Sequence, residues 1–290
     1  MRTRGAIANM FLAGAALCCA WSHSFAQSSA DPVTALAPDE RPTLIVQLPA
    51  GPLMLARQPG LSATQRLAFS LGLRAGPRQV LEPLPQRWRT DQPDRGLAQE
   101  LSTALDRPQA NWPWRELRVL AGSDAVEREL ARRAGEDVAI ARVGSELQQI
   151  GIRVQLLARA EVTIVRALGR PREARSHILL RHLAAPLTAD LAHAQRAAAQ
   201  FRAGGVLDQV VRAAALDLSR LLAVAVERAD APGGLAAGSG RRFKDLPRAA
   251  SCNECRPDDV VLHEESGRIW IAPARSPNTI LSLPLFRSAS

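Results

Sequence analysis

The chain has 290 residues, of which 47% are hydrophobic and 22% are charged, as in ordinary globular proteins. This size and composition allow one or two domains with a buried core, and they exclude a wholly disordered chain. The formal net charge of +9 comes almost entirely from arginine, because Lys244 is the only lysine. Arginine binds anionic groups well, yet codon usage in a GC-rich genome produces the same bias, so the charge alone identifies no partner.

Residues 1–26 have the features of a secretory signal peptide. Arg2 and Arg4 form a positive start, residues 10–21 form a short apolar run, and residues 24–26 supply small side chains for cleavage. The apolar run is shorter than the roughly 20 residues of a membrane-spanning helix, which disfavours an anchor. We therefore expect cleavage at this site and a mature protein in the bacterial periplasm.

Lipid attachment at Cys18 or Cys19 is an alternative use of this leader. Leu17 precedes Cys18, and Cys18 precedes Cys19, whereas lipoprotein processing needs Gly, Ala or Ser at that position. No later segment approaches a membrane span, so no transmembrane segment is expected after cleavage. Cleavage removes Arg2 and Arg4 and lowers the formal charge from +9 to +7. Outside the cytoplasm this charge suits an envelope protein or an anionic envelope component, not nucleic acid.

The first part of the mature chain is predicted to begin with strands. Residues 27–41 are rich in Ser, Ala, Asp and Pro and are expected to be a flexible leader, followed by a strand over 43–48. Apolar residues alternate over 66–74, which favours a half-buried strand. Ser62 and Gln65 have the spacing of a helix capping box, so a helix there is the alternative.

Two helices are predicted before the centre of the chain. After a proline-rich loop over 76–94, leucines at intervals of four residues predict a helix over 94–105. A strand over 117–120 and a helix over 123–133 follow, and Gly135 is a typical helix stop.

Three extended segments come next in close succession, at 137–148, 152–166 and 175–184. Their connections are of turn length, and such short connections join antiparallel strands. Over 152–166 the even-numbered residues are apolar nearly to the end, which gives the predicted sheet one apolar face.

Residues 188–228 are predicted to form two helices that cover this apolar face. We expect the break at Gly204 and Gly205, because each glycine inside a helix costs about 1 kcal/mol relative to alanine. The second helix carries an apolar stripe at intervals of three and four residues, formed by Leu207, Val211, Ala214, Leu218, Leu221 and Ala225.

The C-terminal part has its own pattern. Residues 230–242 are rich in glycine and are predicted to be a linker. Strands over 260–263 and 268–272 flank the turn sequence Glu-Ser-Gly, which indicates a hairpin, and a third strand is expected over 279–283.

Together these elements predict an α+β fold. The main domain, over 42–229, is expected to be an antiparallel β-meander covered by helices. The segment 243–290 is expected to form a small β-hairpin appendage, separated from the main domain by the linker.

The appendage carries two cysteines in the motif Cys252-Asn-Glu-Cys255. In an oxidising compartment this motif predicts a local disulfide. A thioredoxin-like redox pair and a zinc site with His263 and His182 are the alternatives. Haem attachment is excluded, because Arg256 stands where the motif needs histidine.

No residue pattern predicts a catalytic, cofactor or metal site. His177, His182 and His193 lie near the junction of the predicted sheet and helices, but no serine has the Gly-x-Ser-x-Gly context of a nucleophile elbow. A Ser-His-Asp triad stays open, because its members need not be close in sequence. The acidic residues around the hairpin lack calcium-loop spacing and are expected to be solvated; they are Asp258, Asp259, Glu264 and Glu265.

Two groups of residues predict a possible binding surface. Trp112 and Trp114 flank a proline in a loop, where they could bind apolar or sugar rings or fold back over the core. Four arginines gather at one strand turn and could bind an anionic partner or be solvated; they are Arg166, Arg170, Arg172 and Arg175.

The order of elements over 43–228, with a helix at 97–105, a β-meander and a long helix at 206–226, resembles the auxiliary lipoprotein component of ABC-type lipid transport systems. The resemblance implies an exported, non-catalytic accessory or binding protein of the bacterial cell envelope. The alternative is a periplasmic hydrolase or thiol-redox enzyme that uses the histidines or the pair Cys252 and Cys255.

Overall fold

A computed structural model describes residues 40–48, 54–57, 80–83, 96–107, 112–150, 153–171, 173–184, 206–229, 234–236, 240–246, 250–251, 255–265 and 267–287. All of them belong to the compact unit Thr34–Ser290. The predicted signal peptide, the strand over 66–74 and the first of the two helices over 188–228 lie outside the described residues.

The described residues form three α-helices, twelve β-strands and two short 3-10 turns. The helices are α1 (Gly96–Leu105), α2 (Ser123–Arg132) and α3 (Val206–Arg228), and the 3-10 turns are Gly234–Ala236 and Phe243–Asp245. The strands are β1 (Thr43–Leu48), β2 (Met54–Arg57), β3 (Val80–Pro83), β4 (Glu116–Ala121), β5 (Val138–Ile150), β6 (Arg153–Arg166), β7 (Ala174–Leu183), β8 (Ala250–Ser251), β9 (Val260–Glu265), β10 (Arg268–Ala272), β11 (Thr279–Pro284) and β12 (Phe286–Arg287).

Ten of these strands form one mixed sheet in the order β3-β2-β5-β6-β7-β11-β10-β9, and β1 pairs with β4 and β5 beside this path. At its centre β5, β6 and β7 are the three extended segments expected from the sequence, and they pair antiparallel along most of their length. The fold therefore has mixed α and β content, with helices packed on a large sheet.

The prediction of an antiparallel meander with a separate appendage needs correction. Four pairs of strands are parallel: β1 with β4, β1 with β5, β2 with β5, and β7 with β11. Thr279 in β11 lies opposite Leu179 in β7, so the hairpin of β9 and β10 continues the main sheet through β11. The length of a connection predicts the relative direction only of strands that are neighbours in sequence. Because β7 and β11 are about a hundred residues apart, their parallel pairing could not be predicted in this way.

Helix α3 covers the even-numbered face of β6, as the apolar stripe predicts. Within the stripe Ala214, Leu218, Leu221 and Ala225 have no exposed surface, and they share one apolar cluster with Leu156 and Leu180 of the sheet. Burying a leucine side chain contributes about 1.5–3 kcal/mol, so this layer is a main source of stability. Helix α1 packs against α3 in the same cluster.

No helix in the described part of the chain is long and apolar enough to span a membrane.

The opposite face of the sheet has two separate apolar clusters. One lies under α2 and contains Val126, Val138 and Val165. The other lies under the C-terminal segments and contains Leu157, Leu183, Ile269 and Ile271, with the half-buried Phe243 packed against it. The middle of this face, which we call the open face, carries the exposed side chains of Arg142, Arg159, Glu161 and Arg181 between the two clusters.

Candidate functional site

His182, one of the candidate catalytic histidines, lies inside the protein. It is on β7, faces α3 and has only 1% of its surface exposed. Its Nδ1 atom is 2.6 Å from Oδ2 of Asp217 on α3. A carboxylate can only accept hydrogen bonds, so Nδ1 carries the proton and donates it to Asp217.

Asp217 joins His182 to the C-terminal strands. Its Oδ1 atom accepts a hydrogen bond of 3.0 Å from Nε1 of Trp270 on β10, and its Oδ2 atom lies 3.9 Å from Nε of Arg268 on the same strand. Both carboxylate oxygens therefore have partners although only 7% of the residue is exposed. We call His182, Asp217, Arg268, Trp270 and Ser282 the buried network.

Arg268 connects three neighbouring strands of the sheet. Its Nη2 atom donates to the backbone carbonyls of Leu183 in β7 at 2.8 Å and of Ser282 in β11 at 2.9 Å. Its Nε atom donates to Oγ of Ser282 at 3.0 Å. The side chain thus reaches from β10 across β11 to the end of β7 and holds the parallel pair in register.

The charges of the buried network balance. Burial lowers the pKa of His182 below its ordinary value near 6.5, despite the opposing hydrogen bond to Asp217, so the imidazole is neutral at pH 7. Burial would raise the pKa of Asp217, but the hydrogen bond from His182, the charge of Arg268 and the Ser282 hydroxyl bring it below 3.8. The network therefore contains one anion, one cation and a neutral ring, and its net charge is zero.

Among the described residues no serine completes a serine-histidine-aspartate triad with His182 and Asp217. In such a triad the histidine takes the proton of the serine through one nitrogen and bonds the acid through the other. Here Ser282 is held by Arg268, and the described residues contain no hydrogen bond between a serine and a histidine. The described hydrogen bonds of the buried network tie α3 to β7, β10 and β11.

Within the described residues no hydrogen bond joins His177 or His263 to His182. His177 is exposed on β7, and its Nδ1 atom lies 3.1 Å from Oγ1 of Thr163. The ring of His263 packs beside Trp270 at a centroid distance of 4.9 Å, and His193 lies outside the described residues. Within the described part of the chain no three His, Cys, Asp or Glu side chains are placed to hold a metal ion.

One cysteine of the predicted disulfide, Cys255, lies at the edge of the second apolar cluster. Cys255 is half-buried and packs against that cluster. Cys252 lies outside the described residues, so the disulfide stays a prediction.

Trp112 and Trp114 stack on each other, with ring centroids 4.5 Å apart and planes inclined by 18°. Trp114 has 6% of its surface exposed and belongs to the main apolar cluster. Trp112 is half-buried against the same cluster, and its Nε1 atom donates to the carbonyl of Arg107 at 3.3 Å. This placement corresponds to the alternative in which the two rings fold back over the core.

The predicted arginine cluster is largely neutralised by acidic residues. Arg166 pairs with Asp137 at 2.8 Å, and Arg175 pairs with Glu173 at 2.5 Å. The guanidinium of Arg170 lies against the backbone of Gly135, and Arg172 lies outside the described residues. The described members of this cluster therefore offer less free positive charge than the sequence suggests.

Arg133 near the end of α2 is paired in the same way. It forms ion pairs of 2.7 Å with both Glu116 and Glu129. The hydrogen bond from Arg133 lowers the pKa of each of these carboxyls below 4.5, against the effect of burial. These ion pairs connect α2 to β4 at this edge of the sheet.

Three arginines that the sequence did not single out are different. Arg142, Arg159 and Arg181 are exposed on the open face, and within the part of the chain that the structure describes none has an ion pair or side-chain hydrogen bond. Arg159 lies directly opposite Arg181 across β6 and β7. The alternation of apolar and polar residues along β5, β6 and β7 indicated the face on which these arginines lie, but no sequence pattern indicated that their side chains would be exposed.

Compared with known proteins, the chain matches no protein-family model and no curated protein sequence. The resemblance to transport auxiliary lipoproteins therefore stays a hypothesis from the order of elements.

Proposed function

We propose that the protein is an exported, non-catalytic accessory protein of the bacterial cell envelope that binds an anionic partner through its open face. The observation that carries this proposal is the contrast between its charged groups. Within the described residues Arg142, Arg159 and Arg181 are exposed and have no ion pair, whereas His182 and Asp217 are buried and hydrogen-bonded to each other.

The position of the arginines favours binding over a purely structural role. Arg159 is directly opposite Arg181 in the register, and its side chain leans away from Arg181 over Gly144 toward β5. Each guanidinium can bind a carboxylate or phosphate with two parallel hydrogen bonds. The guanidinium groups of Arg142, Arg159 and Arg181 have no ion pair within the described residues, and an anionic partner would supply one.

The rival function, a periplasmic hydrolase or thiol-redox enzyme, has less support. A general base needs a proton acceptor within reach of substrate, and only 1% of the surface of His182 is exposed beneath α3. A redox enzyme would use Cys252 and Cys255, whose pairing stays a prediction because Cys252 lies outside the described residues. Loss of a dithiol-dependent reductase activity in the variant Cys255→Ala would support that rival.

The export part of the proposal rests on residues 1–26 and is tested separately. We expect the full chain, made in a Gram-negative host, to lose its leader and to become protease-accessible when the outer membrane is opened. A full-length protein that stays protected until the inner membrane is lysed would contradict export.

The binding part is tested by crosslinking in cells from a photoreactive amino acid at Glu161, an exposed position on the open face. The matched control is the same substitution at Glu127, an exposed glutamate on α2. We expect an adduct from Glu161 and none of the same mass from Glu127. Equal labelling from the two positions, or none from either, would contradict binding at the open face.

A further inference from the structure

We propose that the open face is a docking groove for an acidic amphipathic helix of a partner protein. This inference deepens the proposed function and rests on it. It names the chemical class of the partner and the residues that receive it.

The first argument is the shape of the groove. Leu157 and Val165 on β6 belong to the two apolar clusters that cover the ends of this face, and they lie eight residues apart on the same side of the strand. At about 3.3 Å per residue, their Cα atoms are roughly 26 Å apart. A helix with its side chains is about 10–12 Å across, so one helix fits between the two clusters.

The second argument is the composition of the groove floor. The row that crosses the strands at Arg159 contains Gly144, Arg181 and Leu281, because these residues are directly opposite one another in the register. The next row contains Arg142, Glu161 and Leu179. Leu179 and Leu281 are half-buried, and Leu281 also packs against the second apolar cluster at the edge of the groove. Each row therefore combines an arginine that has no ion pair within the described residues with a partly exposed leucine.

Gly144 decides where the charge of Arg159 lies. The Nε and Cγ atoms of Arg159 are 3.3 and 3.7 Å from the point where a Cβ atom on Gly144 would be. The side chain therefore crosses over Gly144 toward β5, where Arg142 is two residues away on the same face. A side chain at position 144 would occupy the space above β5 and displace the Arg159 side chain away from the sheet.

The third argument is charge complementarity. The floor holds three arginines and one glutamate, and no ion pair joins them within the described residues. Guanidinium groups bind carboxylates bidentately, and partly buried leucines bind apolar side chains. An amphipathic helix with acidic and apolar residues on the docking side satisfies both kinds of contact, as α3 satisfies the apolar face beneath.

The test uses the crosslinker at Glu161 in the full chain, with the adduct digested and sequenced by mass spectrometry. We expect the labelled segment to come from a protein and to carry at least three acidic residues at helical spacing. The double variant Arg159→Glu with Arg181→Glu should lower the yield of this adduct by about tenfold or more, because like charges then face each other. The matched control Arg128→Glu, an exposed arginine on α2, should leave the yield unchanged.

Two further results would decide the matter. Reversing two acidic residues of the captured segment to arginine should restore the adduct with the double variant, which a general loss of folding would not allow. A lipid or glycan adduct, or a captured segment without acidic residues, would overturn the helix groove while leaving an envelope binding function in place. The absence of any adduct would contradict both the helix groove and the proposed binding function.

Discussion

Arg181 and His182 are neighbours in β7, but they point to opposite faces of the sheet and into opposite environments. His182 lies under α3, where it is neutral and hydrogen-bonded to Asp217. Arg181 lies on the open face, where water solvates it and Arg159 faces it without a carboxylate between them. The comparison shows that charge is balanced where the fold removes it from water, whereas Arg159 and Arg181 remain exposed without an ion pair among the described residues.

The largest expected effect breaks the buried side of this comparison. The substitution Asp217→Ala leaves Arg268, His182 and Trp270 without their common acceptor. Removing one partner of a buried ion pair costs roughly 3–5 kcal/mol, so we expect a loss of that size in the free energy of unfolding by urea.

The matched control for this experiment is Asp208→Ala, at an exposed position in the first turn of the same helix. It removes only a helix-end charge and should cost less than about 1 kcal/mol. Equal losses in the two variants would mean that the buried network does not stabilise the fold.

A smaller effect is expected from Trp270→Phe. This change keeps a ring in the core but removes the Nε1 donor to Asp217. Leaving a buried acceptor unsatisfied costs about 1–3 kcal/mol, which urea unfolding will detect. Trp112→Phe removes an indole donor from a more exposed hydrogen bond and should cost clearly less. A larger loss of stability in Trp112→Phe than in Trp270→Phe would mean that the indole hydrogen bond of Trp112 contributes more to folding than that of Trp270.

The pH dependence of stability sharpens the comparison further. The pKa of His182 is lowered in the folded protein, so below its ordinary value near 6.5 the unfolded chain binds a proton that the folded chain does not. Stability from this group is therefore present above pH 6.5 and lost as the pH falls. The lowered pKa of Asp217 adds a further loss below about pH 3.8.

The variant His182→Asn keeps an N–H donor toward Asp217 and removes the titrating ring. We expect a flatter dependence of the unfolding free energy between pH 7 and 5 than in the wild type. His177→Asn, at an exposed histidine of the same strand, should keep the wild-type slope. A steep slope in His182→Asn would assign the acid sensitivity to other groups.

The smallest effect is expected on the open face. Arg159→Glu replaces two facing positive charges by a cross-strand pair with Arg181, which should stabilise the protein by about 0.2–1 kcal/mol at low salt. Salt screens exposed charges, so the gain should vanish at about 1 M sodium chloride. A loss of stability would show that Arg159 has a structural role over Gly144.

Local sequence patterns predicted most of the elements around both regions. The intervals in Ala214, Leu218 and Leu221 identified the buried side of α3, and the alternation over 152–166 identified the apolar face of β6. Asp217 also had a detectable signal, because it lies three residues after Ala214 and four before Leu221 on that buried side. The residues that would meet it could not be read from the same pattern, since Trp270 and Ser282 lie in other segments.

The sequence by itself determined where the longer helices and strands form and which side of each is apolar, because periods of 3.6 and two residues are properties of a single segment. Short strands without such a period, such as β3 inside the predicted loop over 76–94, were not predicted. Only the tertiary structure decided that β11 lies parallel to β7, that Asp217 meets His182 and Trp270, and that Arg159 and Arg181 are exposed between the two clusters of the open face. Those features depend on register between segments far apart in the chain, and register is chosen by the packing of the whole core.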